Sequence, residues 1–218
     1  MEESTSREKI LKRVRNALMS KQENPFQSIE FESEIYQVPD ESLDIIFAKE
    51  FTEADGKFVY CESSADFPKN LKALMLQRGW EDVYCLDKSI HLALDKEKVP
   101  FKSSAKDFLK MKVGITRCEF LISRLGSIMV SSKQCEGRRM NAFPDVHIVI
   151  GFASQLVPDI KGALKGMQKR YQNKLPSMIS VITGPSRTAD IEKTLVMGAH
   201  GPRELYLFLI DDSIETKY

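Results

Sequence analysis

Ser186, Arg187, Thr188, Asp190, Glu192 and His200 fall within one short stretch of the chain, and together they hold most of what binding an anion and moving a proton would need. Ser186, Thr188 and Asp190 are residue types that open helices, where unpaired N–H groups and the positive end of the helix dipole favour a negative group. Arg187 adds a planar fork suited to a carboxylate or a phosphate. Asp190 and Glu192 could orient donors, and His200, set between Gly198 and Gly201, has an unperturbed pKa near neutrality and is a candidate for proton transfer. The same residues would equally serve an ordinary capped turn with a solvated arginine.

Two further loops carry residues of the same kind. Gly126-Ser127 allows close backbone approach to a ligand or simply makes a tight turn. Gly137-Arg138-Arg139-Met140-Asn141 sets two adjacent arginines where Arg139 could face an acid, or remain a surface charge. His147, inside the apolar run Val146–Ile150, reads as a satisfied core histidine, and His91 lies in no motif.

The elements that must position these loops alternate along the chain. A basic amphipathic helix spans Ser6 to about Lys21, with Ile10, Val14 and Leu18 at helical spacing, and Gln22–Asp40 reads as an extended connector carrying Pro25 and Pro39. Residues 1–40 therefore form an N-terminal extension and residues 41–218 an α/β domain. Within it the expected order is helix Ser42–Thr52, strand Lys57–Cys61, helix Phe67–Arg78, strand Asp82–Leu86 and strand Lys112–Thr116. A short helical Cys118–Ser123 follows, then strands Ser127–Ser131 and Val146–Gly151. Helix Pro158–Gln172, strand Met178–Thr183, helix Thr188–Met197 and strand Glu204–Ile210 complete it. Such alternation predicts a three-layer, mostly parallel sheet with crossover helices.

The run Gly184-Pro185-Ser186-Arg187-Thr188-Ala189-Asp190-Ile191-Glu192, followed by Gly198-Ala199-His200-Gly201-Pro202, resembles the C-terminal signature of the lactate utilization protein C, or LUD-domain, family. The likeness continues upstream through Val113–Thr116, Leu125–Val130 and Phe143–Val149, covering about half the chain. It implies the fold shared by ribose-5-phosphate isomerase, glucosamine-6-phosphate deaminase and CoA transferases (NagB/RpiA/CoA transferase-like), with ligands at loops that follow the C-terminal ends of strands. It also implies a part in oxidising L-lactate to pyruvate beside companion proteins, one of them an iron–sulfur oxidoreductase subunit. On this reading Gly126, Ser127, Arg139, Gly184, Ser186, Arg187 and Thr188 bind an organic anion, and Asp190, Glu192 and His200 are the acid–base candidates. One departure stands out: where the family commonly has Ile-Ala-Glu-Thr-Gly-Thr, this chain has Ile122-Ser123-Arg124-Leu125-Gly126-Ser127, replacing the acid by Arg124.

Composition narrows the classes. With 32 basic and 31 acidic residues in 218, the formal net charge is +1, so no whole-chain polyanion or nucleic-acid binding is expected. Cys61, Cys85, Cys118 and Cys135 are widely spaced, without a Cys-x-x-Cys pair, so no intrinsic metal or iron–sulfur centre is expected, and reduced thiols fit a cytoplasmic protein. No run approaches the roughly 20 apolar residues of a membrane span. There is no Gly-x-Gly-x-x-Gly after a strand and no P-loop, so an oxidation would need its electron acceptor on the iron–sulfur partner. The alternatives are an independent sugar-phosphate isomerase or CoA-transferase-like enzyme, and a non-catalytic ligand-binding regulator. Homo-oligomerisation is left open.

Overall fold

The computed structural model describes residues 5–19, 40–104, 111–134, 139–172, 174–188, 196–198 and 200–212. The chain divides into two units, Met1–Val38 and Pro39–Tyr218. Of the first, the described part is α1 (Ser6–Met19) with Thr5 before it. Thr5 and Glu8 form a reciprocal cap: the Thr5 N–H donates to the Glu8 carboxylate at 2.8 Å, and the Glu8 N–H donates to the Thr5 hydroxyl at 3.4 Å. Most of the connector, residues 22–39, lies outside the described residues.

The second unit begins with α2 (Leu43–Glu53) and β1 (Lys57–Cys61). It continues through α3 (Asp66–Arg78), β2 (Val83–Cys85), α4 (Lys88–Lys96), β3 (Phe101–Lys102) and β4 (Val113–Arg117). Next come β5 (Phe120–Ile122), a 3-10 turn at Ser123–Leu125, β6 (Ser127–Ser131) and β7 (Val146–Phe152). A second 3-10 turn at Ala153–Gln155 leads to β8 (Leu156–Val157), α5 (Ile160–Arg170) and β9 (Ile179–Ile182). The last strands are β10 (Arg187–Thr188), β11 (Val196–Met197) and β12 (Glu204–Ile210).

Six strands form a wholly parallel sheet in the order β1-β12-β7-β4-β2-β3. Its central strands β7 and β12 are near-continuous apolar runs because both faces are covered. Val113, Ile115, Ile148, Ile150, Phe208 and their neighbours pack against α3 and α4 on one face. On the other, Val149, Leu205, Leu207 and Leu209 meet Phe47 and Phe51 of α2 together with Leu121, Ile128 and Val130. Those last residues belong to a second sheet, β8-β5-β6-β9, in which β6 runs antiparallel to both neighbours. The outer face of that sheet carries α5 through Phe120, Ile122, Met129, Ala163 and Met167. This is an α/β fold built on a mostly parallel sheet.

The start of α5 is fixed locally. Asp159 has extended backbone, and its carboxylate accepts the Gly162 N–H at 2.7 Å. Asp159→Ala should cost about 1 kcal/mol, read as a shift in the chemical-denaturation midpoint without a change in slope. A buried carboxylate ties the far end of α5 to the small sheet. Glu119 accepts from Arg170 at 2.6 Å, from Tyr171 at 2.7 Å and from the Ser131 hydroxyl at 2.6 Å, so its burial is compensated on every side.

Two expected helices are corrected. Phe120–Ile122 is a strand: its side chains bury toward both cores, and three apolar residues are too few to show a period. The expected helix Thr188–Met197 is replaced at its described ends by paired strands, with Arg187 opposite Met197 and Thr188 opposite Val196. Residues 189–195, including Asp190 and Glu192, lie outside the described residues.

Candidate functional site

The loop Gly184–Ser186 folds against Gly198–Pro202, and backbone bonds stitch the two together. The Ser186 N–H donates to the Pro202 carbonyl at 2.8 Å, and the Gly198 N–H donates to the Ser186 carbonyl at 2.9 Å. A Cβ on Gly201 would stand 3.1 Å from the Ser186 Cβ, so the segments touch closely. The Ser186 amide is thereby used within the protein. The open helix start expected at this turn is not formed, because a strand continues from it.

Behind this wall stands the C-terminal turn of α2. Gly184 has φ +73°, and a Cβ there would fall 2.0 Å from the Ala54 carbonyl oxygen. Arg187 donates to that carbonyl at 2.7 Å and pairs with Asp55 at 2.8 Å. Its guanidinium anchors the turn to α2. Gly126 meets the same helix one turn earlier, with a would-be Cβ 2.2 Å from the Phe51 nitrogen. Ser127 is buried, and its hydroxyl lies 2.7 Å from that of Thr183, next to Gly184. Gly126, Ser127, Arg187 and Thr188 thus surround the signature turn and are not among the residues that line the cleft beside it.

The cleft itself, of about 230 Å³, opens on the other side of the turn. Gly184, Ser186 and His200 of the expected set line it, along with Asn141, His147 and Leu205. Arg139 is exposed on the preceding turn, where its carbonyl accepts the Ala142 and Phe143 N–H groups, while Gly137 and Arg138 lie outside the described residues. Arg124 is exposed on the 3-10 turn after β5 and is not among the cleft residues. Asn141 precedes β7, His147 is its second residue, and His200–Pro202 precede β12. The cleft therefore lies at the N-terminal edge of the parallel sheet. The loops at Asn141 and at His200–Pro202 feed β7 and β12, whereas Gly184–Ser186 follows the C-terminal end of β9 in the second sheet.

His147 is a core histidine, as expected, but is satisfied at one ring nitrogen only. It is fully buried, its Nε2 lies 2.8 Å from the Thr116 hydroxyl, and its Nδ1 has no hydrogen-bond partner among the described residues. Burial away from water holds the ring neutral, with its pKa lowered to about 4. Register explains the pairing. His147 stands opposite Gly114 on β4, so Thr116, two residues on, lies diagonally beside it on the same face. The signal in the sequence was a polar pair within two otherwise apolar strands, visible only once their register is known.

The remaining thiols are structural in setting. Cys61, Cys85 and Cys118 are buried and free, and burial raises the Cys118 thiol to about 12. Cys135 lies outside the described residues. No helix among the described residues is long and apolar enough to cross a membrane.

A family model described as the LUD domain matches residues 32–210, most of the chain. The chain belongs to the LUD-domain family. Among curated relatives, this LUD domain is 36% identical over 102 residues to lactate utilization protein C of Bacillus subtilis, covering 46% of this chain and 42% of that protein. It is 33% identical over 105 residues to lactate utilization protein C of Macrococcus caseolyticus, covering 47% and 46%. An uncharacterized protein of Neisseria meningitidis is 35% identical over 103 residues, covering 47% and 44%. The matched segment thus spans less than half the length of each relative. Among solved structures, a DUF162 family protein from Deinococcus radiodurans superposes with a TM-score of 0.57 at 17% identity, covering 77% of this chain and 96% of that one. At that identity the likeness concerns the fold.

Proposed function

We propose that the protein is a component of a lactate-utilisation system, in which it binds a small organic anion while an iron–sulfur oxidoreductase subunit takes up the electrons. Converting L-lactate to pyruvate removes two electrons and two protons, and the chain's sequence holds no dinucleotide or cluster-binding motif to accept them. The division of labour follows from that. The observation that carries the reading is the meeting of the family's two signature segments, Gly184–Ser186 and His200–Pro202, on one cleft with Asn141 and His147. Relatives named lactate utilization protein C support the choice of metabolite.

In this arrangement α2, Arg187 and the two glycines Gly126 and Gly184 keep the turn in place, and the cleft residues meet the ligand. His200 is exposed at the mouth, whereas the buried His147 stays neutral.

The test is capture of the tagged chain from its own cells, followed by visible spectroscopy of what accompanies it. A companion with iron–sulfur absorption that bleaches on addition of L-lactate, and does so only while this chain is present, is the expected result. Lactate-dependent dye reduction by the purified chain alone would show that the electrons are handled here and overturn the assignment.

A further inference from the structure

We propose that α1 is a membrane-surface helix, which lies in the plane of an anionic lipid bilayer with its apolar stripe among the headgroups and its basic flanks against the lipid phosphates. The proposal concerns a different part of the chain from the cleft and does not depend on the organic-anion reading.

Ile10, Val14 and Leu18 recur every fourth residue and Leu11 stands beside them, so in a helix of about 3.6 residues per turn the four form one stripe roughly 100° wide. No residue of α1 is buried. The four stripe residues are 61%, 50%, 71% and 55% exposed in that order, apolar surface that gains by leaving water.

Charge surrounds the stripe on both sides. Arg15 borders it one turn from Leu11 and Leu18, and Arg13 borders the other side one turn from Ile10, with Lys9 a turn before Arg13. Arg7 stands at the head of the stripe and Lys12 on the far face. The single acid of the helix, Glu8, is engaged in the cap with Thr5. With five basic residues and one acidic, α1 carries a net +4, while the whole chain carries +1, so the rest of the chain sums to −3. The positive charge is concentrated on the element that bears the exposed stripe.

That combination selects the occupant. A second copy of α1 laid along the stripe would bring arginines against arginines, whereas paired helices carry opposite charges beside their apolar seam. A protein groove would have to carry carboxylates on both rims, and α1 offers it no aromatic anchor of the kind that dominates such contacts. An anionic bilayer meets both flanks at once. The long stems of Arg13 and Arg15 can lie along the apolar boundary while their heads stay at the phosphates. At about 1.5 Å per residue the 14 residues extend some 21 Å, too short to cross a hydrocarbon core of about 30 Å, so the helix lies on the surface. Without aromatic anchors its hold depends on charge.

The test sediments the full chain with vesicles of phosphatidylcholine alone and of phosphatidylcholine mixed with phosphatidylglycerol. Binding should be at least about tenfold tighter on the anionic vesicles and should weaken as salt is added. Arg13→Gln with Arg15→Gln should weaken it about twentyfold, at roughly fivefold per charge. Leu11→Gln with Leu18→Gln should weaken it by about tenfold or more, because the stripe leaves water only when it enters the bilayer. A contact made by charge alone, as with a nucleic acid, would not register the leucine changes. All four residues are exposed on α1, so neither pair of changes touches a buried side chain. Equal binding to both vesicles, sedimentation with neither, or anionic binding unmoved by the leucine changes overturns the proposal. A chain that ignores vesicles yet recruits an acidic protein through α1 overturns it as well and assigns the stripe to a protein groove. The wild-type comparison of the two vesicles decides the matter without any variant.

Discussion

Gly126→Ala should destabilise the protein by about 4 kcal/mol or more, a large share of the roughly 5–15 kcal/mol that holds a typical domain together. Gly126 sits at φ +53°, and a methyl group there would stand 2.2 Å from the Phe51 nitrogen and 2.4 Å from the Glu50 carbonyl carbon. Both are backbone atoms within a helix, so neither can swing away as a side-chain tip could. Phe47 and Phe51 on that helix are fully buried and stacked at 5.4 Å between centroids, which prevents α2 from backing off as a body. Gly79 supplies an internal control. It has φ +66° with nothing within 4 Å of its would-be Cβ, so Gly79→Ala should lose only the cost of the left-handed conformation, about 1 kcal/mol. Denaturant unfolding of the two variants checks the contrast. Equal losses would mean that the close approach to α2 contributes nothing.

Acid should weaken the fold through His147, by an amount on the order of 3 kcal/mol between pH 6.5 and about 4. In the unfolded chain this imidazole takes up a proton as pH falls through 6.5, whereas in the folded protein desolvation delays uptake to about 4. Across that window the unfolded state binds more protons, so stability rises with pH and falls as the solution is acidified. Above the window both states are neutral, and below it both are protonated, so the contribution to the slope vanishes at either end. His147→Gln cannot titrate and should flatten the stability–pH curve over this interval, with the carboxylates' contribution remaining in both proteins. Superimposable slopes for wild type and variant would contradict the assignment.

Much of the main sheet is legible without coordinates. Lys57–Cys61 and Glu204–Ile210 can be read directly because buried parallel strands are short apolar runs bounded by turns. Helix α3 is as clear, ending at Gly79 in the left-handed conformation that commonly closes helices. Other elements carry no such local mark. Phe120–Ile122 is too short for periodicity, and Lys88–Lys96 is helical through the Asp87 cap and the burial of Ile90 and Leu94, a pattern of few residues. Nothing in Ser127–Ser131 or Met178–Thr183 states that these strands leave the main sheet for a second, largely antiparallel one. That partition depends on which face α2 and β6 can cover together.

The site divides along the same line. Residue types alone marked Gly184, Ser186 and His200 as neighbours of a ligand, since the signature places them in turns, and their chemistry survives any fold that keeps those turns exposed. Arg187 could not be placed this way. Its charge suggested an anion, but only the tertiary structure supplies Asp55 and the Ala54 carbonyl as closer partners. His147 shows the reverse case: an apolar strand made it look like a satisfied core residue. The register of β4 against β7 gives it one partner, Thr116, while its other ring nitrogen is buried without a hydrogen-bond partner among the described residues. The sequence by itself determined the family, the alternation of strands and helices, and the turns that face the cleft, because those rest on local pattern. The edge of the main sheet that bears the cleft, and the partner of the buried His147, were decided by strand order and register, which bring together residues far apart along the chain.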